Sequence, residues 1–344
     1  MSDVALPGPV PATVPDPASA PPVRWGILGA GGIAGSFAAA VRGATRSQLV
    51  AVGSRDRVRG ERFATAHGIP TTHVGYDDLV ADDHVDVVYV ATPHSEHRAH
   101  ALLAIEAGKH LLVEKAFTRN AAEAREVFDA ARAAGTFVME AMWTRHLPHV
   151  AALRQVLASG VLGEIVGITA DHGQRIDASQ AARLHEPALA GGALLDLGVY
   201  PVAFAHDLLG APSSVLAAGD LTPTGVDASV SVLLEHAGGA RSTLSTTLRT
   251  TTPTVAVVAG TEGRVEVAGS FYAPSSFRVV LRDGATWQFE QPVAHGLAYE
   301  AAEVARCVTA GLTESPRMTW QDTLDVLGTL DEVRRQVGVV YPGE

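Results

Sequence analysis

Short apolar, β-branched runs alternate with helical patterns over the first part of the chain. The alternation predicts strands at 23–28, 48–52, 85–90, 110–113 and 137–140, and helices at 33–42, 57–67, 96–107 and 120–134. Strands that alternate with helices at this spacing form βαβ units around a parallel sheet. The pattern therefore predicts a doubly wound Rossmann domain of the α/β class, with ligands at the carboxyl ends of its strands.

The second part of the chain has a different pattern. It predicts strands at 166–172, 229–235, 241–248, 254–260, 264–267, 278–282 and 286–290, and helices at 148–159, 193–209, 299–311 and 320–337. Because the last six strands follow one another without helices, we expect a large, open and mostly antiparallel sheet. The sequence thus predicts a disordered proline-rich tail over 1–22, a dinucleotide-binding domain over 23–145, and an α+β domain for substrate binding and oligomerisation over 146–344.

Composition narrows the class of protein. A length of 344 residues suits two domains, and 47% hydrophobic residues are enough for packed cores. A net charge of −11 without a basic run argues against nucleic acid as a partner. The single cysteine, Cys307, excludes an intramolecular disulfide and a cysteine-rich zinc site. We find no signal peptide and no apolar run of about 20 residues, so we expect a cytoplasmic protein without a membrane partner.

A glycine pattern follows the first predicted strand. Gly29, Gly31 and Ala34 form G-x-G-x-x-A between that strand and a helix. Gly29 allows a tight turn, Gly31 lets the backbone approach a phosphate, and Ala34 permits close packing of helix and strand. A pyrophosphate then lies at the helix N-terminus. The context favours a dinucleotide over a structural turn or another nucleotide-like ligand such as S-adenosylmethionine.

The end of the second strand bears on which dinucleotide binds. An NAD site usually has a carboxylate there, whereas this chain has Ser54 and Arg55. A hydroxyl and a guanidinium suit a 2′-phosphate, so the sequence favours NADP while leaving NAD open. Asp56 either caps the following helix or reaches the ribose. The alternative to a phosphate-binding role for Arg55 is that it is a solvated surface charge.

Three side chains are candidates for the chemistry. Lys115 directly follows an apolar strand, so we expect it at the ligand-binding edge, where an ammonium stabilises developing oxyanion charge. Asp196 and Tyr200 lie four residues apart and therefore share a helix face. We interpret Tyr200 as a general acid/base assisted by Lys115, with Asp196 binding a substrate hydroxyl or orienting the lysine.

Other polar residues carry weaker signals. His94, His97 and His100 have a spacing that resembles a metal site, but they are better interpreted as lining the cofactor crevice or capping a helix, and no metal is predicted. Arg145, near Trp143, could anchor a substrate hydroxyl. His185 precedes the segment that carries Asp196 and could reach the same pocket.

Taken together, segments 26–34, 91–94, 107–115 and 191–200 resemble the Gfo/Idh/MocA oxidoreductase family, over nearly the whole chain from residue 23. Within it, segments 139–145, 315–318 and 338–342 look like the dimeric dihydrodiol dehydrogenase branch, which includes NADP-dependent sugar dehydrogenases. The resemblance implies Lys115 and Tyr200 as the catalytic pair, with Asp196 beside them. It also implies a cofactor site formed by Gly29, Gly31, Gly32, Ile33, Ala34, Ser54, Arg55, Thr92, Pro93, His94, His97, Glu114 and Lys115.

The resemblance further implies hydride transfer between nicotinamide and a CH–OH carbon of a sugar, cyclic polyol or trans-dihydrodiol, in a homodimer or higher oligomer that associates through the open sheet. An NAD-dependent inositol or deoxysugar dehydrogenase and a non-catalytic nucleotide-binding regulator are the alternatives. One departure stands out: the family pattern Glu-Lys-Pro has Ala116 in place of proline. A cis peptide bond costs more before alanine than before proline, so the position of Lys115 depends on this loop.

Overall fold

The computed structural model describes residues 14–344; the first thirteen residues of the predicted tail lie outside the described residues. The chain forms two compact units, each built from separate stretches. We call residues 15–143 with 294–324 the parallel-sheet unit. We call residues 144–293 with 325–344 the mixed-sheet unit.

A six-stranded sheet forms the centre of the parallel-sheet unit. Its strands are β1 Arg24–Leu28, β2 Gln48–Ser54, β3 Thr71–Val74, β4 Val87–Val90, β5 His110–Glu114 and β6 Val138–Ala141. They lie in the order β3-β2-β1-β4-β5-β6, and every neighbouring pair is parallel. The predicted doubly wound sheet is confirmed, and its order reverses between β1 and β4, where such sheets bind ligands.

The helices of this unit are α1 Gly32–Ala44, α2 Arg57–His67, α3 Asp77–Val80, α4 His97–Glu106, α5 Ala121–Ala134 and α8 Leu297–Thr309. Helix α5 shows why they begin and end where they do: the Asn120 side chain accepts a hydrogen bond from the Glu123 N–H at 2.9 Å, and Gly135 ends the helix in the left-handed conformation, with φ 67°. Strand β3 and helix α3 were not predicted from the sequence. Each is only four residues long, and β3 is polar and lies at the edge of the sheet.

The mixed-sheet unit contains an eight-stranded sheet with the order β14-β13-β12-β11-β7-β10-β9-β8. Its strands are β7 Ile165–Gly173, β8 Pro212–Leu221, β9 Asp227–His236, β10 Arg241–Thr247, β11 Ala256–Gly260, β12 Gly263–Val267, β13 Phe277–Leu281 and β14 Thr286–Phe289. Only the pairing of β7 with β10 is parallel, so the predicted mostly antiparallel sheet is confirmed. Strand β8 was missed because it is a largely exposed edge strand without a clear alternation.

Helix α6 Pro148–Ala158 and helix α7 Val199–Leu209 belong to the mixed-sheet unit, and α9 Trp320–Val337 begins in one unit and continues in the other. Residues alternate along β9, with Val230, Val232 and Leu234 buried and Ser231 and Leu233 exposed. One face of the sheet therefore forms the core, and the other is open in this chain.

Two predicted boundaries need correction. Residues 294–324, assigned from sequence to the second domain, pack with the parallel-sheet unit, because α8 lies against α1 and buries its apolar face there. Part of the tail is also ordered: Pro17–Ser19 forms a 3-10 turn, and Arg306 of α8 donates to the Asp16 carbonyl oxygen at 2.8 Å. Ala20 is buried as well, so residues 14–22 are not a disordered extension.

One stretch departs from the expectation that no segment is long and apolar enough to cross a membrane. Residues Pro187–Leu209 meet that test by length and composition, with a mean hydropathy of 1.5 in the most apolar window. Of that window, 89% is buried inside the structure. A core helix of a globular domain meets the same test, so this single stretch is weak evidence for a membrane span.

Candidate active site

The loop after β1 is shaped to receive an anion. Gly29 has φ +104°, and a Cβ atom there would lie 2.7 Å from the Ala91 carbonyl oxygen after β4, so only glycine fits. Gly31 precedes α1 without any capping side chain, and Cβ atoms added at Gly31 or Gly32 would meet nothing within 4 Å. The surface over Gly31 and Gly32 at the start of α1 is therefore open, while Ala34 is fully buried. A helix start without a capping side chain leaves N–H groups that can bind an anion.

At the end of β2, the turn itself occupies two of the predicted side chains. The Ser54 hydroxyl donates to the Asp56 carbonyl oxygen at 2.8 Å and is 5% exposed, so it is not presented to a ligand. The Asp56 carboxylate accepts the Arg59 N–H at 3.1 Å and caps α2. Of the two predicted roles of Asp56, the structure therefore shows the first, the helix cap.

Two arginines flank the glycine loop. Arg55 is exposed and directly follows β2; burial raises the pKa of Tyr76, and the Arg55 charge opposes that rise. Arg59, which the sequence analysis did not select, donates from Nε to the Ala30 carbonyl oxygen at 3.0 Å. The first turn of α2 contains Arg57 and Arg59, directly after the Asp56 cap. Two cations so close to the end of β2 were the available signal, since that end of the strand lies beside the predicted dinucleotide site.

His97 holds together the loops that follow β4 and β5. It is fully buried, and its Nε2 lies 2.7 Å from the Thr92 carbonyl oxygen while Nδ1 lies 3.1 Å from that of Ala116. Burial lowers the pKa of His97 to about 4. His94 lies 3.2 Å through Nε2 from the Lys115 carbonyl oxygen. Both histidines thus support the loop around Lys115, and the backbone of His97 also caps the short 3-10 turn that His94 begins. The Lys115–Ala116 peptide bond is cis.

Pro93 directly precedes the 3-10 turn that His94 begins. Ile33, in the first turn of α1, is 41% exposed. Pro93 therefore lies on the loop after β4, and Ile33 lies on the first helical turn after the glycine loop.

Buried carboxyl groups lie behind the end of β5. Glu114 accepts hydrogen bonds from the Tyr89 hydroxyl and from the Lys115 N–H, the latter at 3.2 Å. Glu140 accepts from the Phe117 N–H at 3.2 Å. Glu300 of α8 is fully buried, and burial together with the charges of Glu114 and Glu140 raises its pKa well above the usual value. The bonds from Tyr89 and Lys115 therefore hold the Glu114 carboxylate in the interior of the parallel-sheet unit.

In the mixed-sheet unit, Asp196 and Tyr200 lie on one continuous helical stretch, as predicted. A wide π turn, Leu194–Gly198, leads directly into α7, and both side chains are 8% exposed. Pro201 has no N–H, so it cannot donate to the Leu197 carbonyl oxygen four residues earlier. His172 Nδ1 lies 3.2 Å from that oxygen and donates to it.

Two other rings, His172 and Tyr272, pack against the Tyr200 phenol. Ring centroids lie 4.4 Å apart for Tyr200 and Tyr272, 4.4 Å for His172 and Tyr272, and 5.5 Å for His172 and Tyr200. The Gln174 side-chain amide donates to His172 Nε2 at 2.9 Å, which fits a proton on Nδ1. Burial and then the Asp196 charge raise the pKa of Tyr272. Sequence reasoning missed His172 and Tyr272, since no motif links a strand end to a distant loop.

The weaker substrate candidates mostly have structural partners. Arg145 lies 3.3 Å from the Asp207 carboxylate, which Arg154 also binds at 2.8 Å, so Arg145 belongs to a buried ion-pair network. His185 Nε2 lies 3.0 Å from the Ile176 carbonyl oxygen and thus supports its own loop. Trp143 is half-buried in a 3-10 turn. Arg183, which was not predicted, pairs with Asp196 at 3.1 Å.

A cavity of about 530 Å³ in the mixed-sheet unit does not coincide with the phenol. His172 and Gly173 line it together with serines and threonines of β9 and β10 and with Asp220 of β8, whereas Tyr200 and Asp196 do not. Within residues 14–344, no three or more His, Cys, Asp or Glu side chains are grouped to hold a metal ion.

Family models match both parts of the chain. Residues 23–142 match an oxidoreductase family with an NAD-binding Rossmann fold, and residues 150–266 match the GFO/IDH/MocA C-terminal domain. The chain is similar to trans-1,2-dihydrobenzene-1,2-diol dehydrogenase of Sus scrofa, at 38% identity over 331 residues. The protein of that name from Mus musculus is 38% identical over 333 residues. Each comparison covers 93% of this chain and 98% of the relative.

Solved structures give the same fold. A 3-ketoreductase from Actinomadura kijaniata, in complex with NADP and TDP-benzene, superimposes with a TM-score of 0.84 at 29% identity. An aldose-aldose oxidoreductase from Caulobacter crescentus, complexed with glycerol, has a TM-score of 0.84 at 25% identity. Both comparisons cover 92% of this chain and 98% of the other.

The buried carboxyl of Glu300 leads to a prediction about stability. Its folded-state pKa lies above the usual 4.5, so the folded chain binds more protons and the free energy of unfolding falls as the pH rises above about 4.5. Glu300→Gln replaces the carboxyl group with a neutral amide and so removes the free-energy cost of ionising a buried group. We expect a higher Tm than wild type at pH 8, by about 2–4 °C for each kcal/mol relieved, and a smaller difference near pH 5.

Calorimetry at both pH values measures this difference. The control is Glu106→Gln, an exposed glutamate at the end of α4, which should leave Tm unchanged at either pH. A lower Tm for Glu300→Gln at pH 8 would show that the charged carboxylate stabilises the fold.

Proposed function

Because the chain belongs to the GFO/IDH/MocA family of NAD(P)-binding oxidoreductases, we propose that it oxidises a CH–OH group of a sugar, cyclic polyol or trans-dihydrodiol with NADP, and reduces the matching carbonyl in reverse. The observation that carries the proposal is the 38% identity to a dihydrodiol dehydrogenase over 93% of the chain. Relatives that are named as dehydrogenases and a ketoreductase favour an enzyme over a regulator.

The residues present fit a dinucleotide phosphate. The α1 N-terminus has no capping side chain, and the open surface over Gly31 and Gly32 leaves room for a pyrophosphate. Arg55 and Arg59 supply two guanidinium groups beside that loop, and Asp56 is committed to the helix cap. A carboxylate that would accept from a 2′-hydroxyl is therefore replaced by cations that suit a 2′-phosphate, which supports NADP over NAD.

When bound, the nicotinamide accepts the hydride in oxidation or supplies it in reduction. In the proposed oxidation, the Tyr200 phenolate accepts the proton of the substrate hydroxyl and becomes the phenol, and in reduction the phenol returns that proton. The Lys115 ammonium stabilises negative charge on the substrate oxygen and on the phenolate. Asp196 accepts a hydrogen bond from a neighbouring substrate hydroxyl, in exchange for its contact with Arg183.

We propose that a second copy of the chain covers the open face of the eight-stranded sheet. Leu216 of β8 pairs in register with Leu233 of β9, and the same row continues through Thr243 to Thr169. Leu216 is 63% and Leu233 39% exposed. Apolar side chains in register on an exposed sheet are typical of a surface that associates.

A cytoplasmic location stays a prediction.

The first test concerns activity. NADP and NADPH are incubated with a panel of diols, cyclic polyols and sugars and with the matching carbonyls, and absorbance at the nicotinamide band is followed. Tyr200→Phe should lower kcat by about 10²–10⁴-fold, because a general acid/base is lost. Lys115→Met should lower kcat similarly and leave NADPH binding within about threefold.

The control is Tyr299→Phe, the same chemical change on α8. A Tyr200→Phe variant with the wild-type rate would remove the phenol from the mechanism. A panel without any turnover by the wild type would reject the proposed activity.

The second test concerns the cofactor. Arg55→Ala with Arg59→Ala should raise the Kd of NADPH by about 10²–10⁴-fold and change that of NADH by less than threefold, because each of the two charge-assisted hydrogen bonds to a phosphate contributes about 1.5–3 kcal/mol. Fluorescence titration measures both constants. Arg62→Ala, further along α2, is the matched control. Equal losses for the two cofactors would contradict a 2′-phosphate contact.

The third test concerns association. Light scattering should give a mass of at least twice the 35.8 kDa of one chain. Leu216→Glu with Leu233→Glu should yield monomers, because two buried charges would face each other at the interface. Leu312→Glu, which alters an exposed leucine of the parallel-sheet unit, should not change the mass. A wild type of 35.8 kDa in solution would reject the proposal.

A further inference from the structure

The helical stretch that carries Asp196 and Tyr200 begins at an unusual turn. Gly191 and Gly192 precede it, and Gly192 has φ +117°. A Cβ atom at Gly192 would lie only 2.2 Å from Oδ1 of Asp227, the first residue of β9. The backbone at this turn is therefore packed directly against a carboxylate, and only glycine allows that approach.

Asp227 also bonds to the start of the helix. Its side chain is fully buried, and Oδ2 accepts a hydrogen bond from the Leu194 N–H at 2.6 Å. Asp196 follows two residues later and Tyr200 six residues later. A carboxylate at this point satisfies a helix N–H that has no intrahelical partner and suits the positive end of the helix dipole.

A second buried side chain holds the same turn. Tyr341, near the C-terminus, is 2% exposed and donates its hydroxyl hydrogen to the Gly191 carbonyl oxygen at 2.7 Å. The Arg334 guanidinium lies 4.7 Å from the centre of the Tyr341 ring and donates to both carboxylate oxygens of Glu344 at 2.9 Å. The turn is thus bound through a backbone N–H on one side and a backbone carbonyl on the other.

Asp227 is costly for the fold. Burial is the main cause that raises its pKa to about 6, while hydrogen bonds from the helix backbone and the Arg334 charge oppose the rise. A buried charge of this kind is usually less stabilising than an apolar residue of similar size. Its presence is therefore better explained by the geometry it imposes on the helix start than by overall stability.

We propose that Asp227 is a positioning residue, which fixes the start of the helix and thereby the Asp196 carboxylate and the Tyr200 phenol. Asp227 contacts the backbone of 192–194, so it acts through the helix and not on the substrate. Displacement of a reacting group by about 1 Å costs on the order of 100-fold in rate. The inference rests on the proposed function for its kinetic part and on the structure alone for its structural part.

The test compares Asp227→Ala with Asp227→Asn. Alanine removes the acceptor for the Leu194 N–H, so we expect kcat to fall by about 10–100-fold while the Kd of NADPH changes by less than twofold. Asparagine keeps an acceptor oxygen and should retain kcat within about threefold of wild type. Amide hydrogen exchange of the peptide 191–200 should speed up in the alanine variant and not in the asparagine variant.

Val232→Ala is the matched control, because it removes a buried side chain from the same strand without touching the helix start. It should lower Tm and leave kcat within twofold. The inference is overturned if Asp227→Ala keeps the wild-type kcat and exchange, or if Asp227→Asn loses as much as alanine. A wild type that turns over no substrate rejects the proposed function alone, since hydrogen exchange still decides the role of Asp227.

Discussion

Parallel pairing of every strand in the six-stranded sheet is the constraint on which the nucleotide-binding half depends. Because all strands run the same way, the segments after β1, β2, β4 and β5 emerge at one edge. The glycine loop, Arg55, Thr92 and Lys115 are far apart in sequence and share that edge for this reason alone. The close approach of Gly29 to the Ala91 carbonyl then sets how tightly the two central loops meet.

Much of this half was predictable because its signals are local. The G-x-G-x-x-A loop and the helix predicted over 120–134 each depend on a few neighbouring residues, and both are present as predicted. Asn120 and Gly135 supply the local bonds and backbone geometry that begin and end that helix. The position of Lys115 at the end of β5 was also predictable, since it directly follows an apolar run. Ser54 was interpreted as a ligand contact, but its hydroxyl is used within the turn, a competition that the residue type alone does not reveal.

The surroundings of Tyr200 depend on contacts between distant parts of the sequence. His172 and Tyr272 come from a strand end and a loop a hundred residues apart, and no spacing rule joins them. Arg145 looked like a substrate anchor because it is a cation beside a tryptophan, whereas Asp207 neutralises it. Buried polar residues are recognised from sequence, but their partners are set by tertiary packing, which decides whether a charge serves the fold or a ligand.

The division of the chain into interleaved stretches has a consequence for biosynthesis. The unit that begins at residue 15 also needs 294–324, and the unit that begins at 144 also needs 325–344. Domains of many proteins fold one after another as they leave the ribosome. Here neither half has all of its core until almost the entire polypeptide has emerged. For most of translation, α1 therefore lacks its packing partner α8.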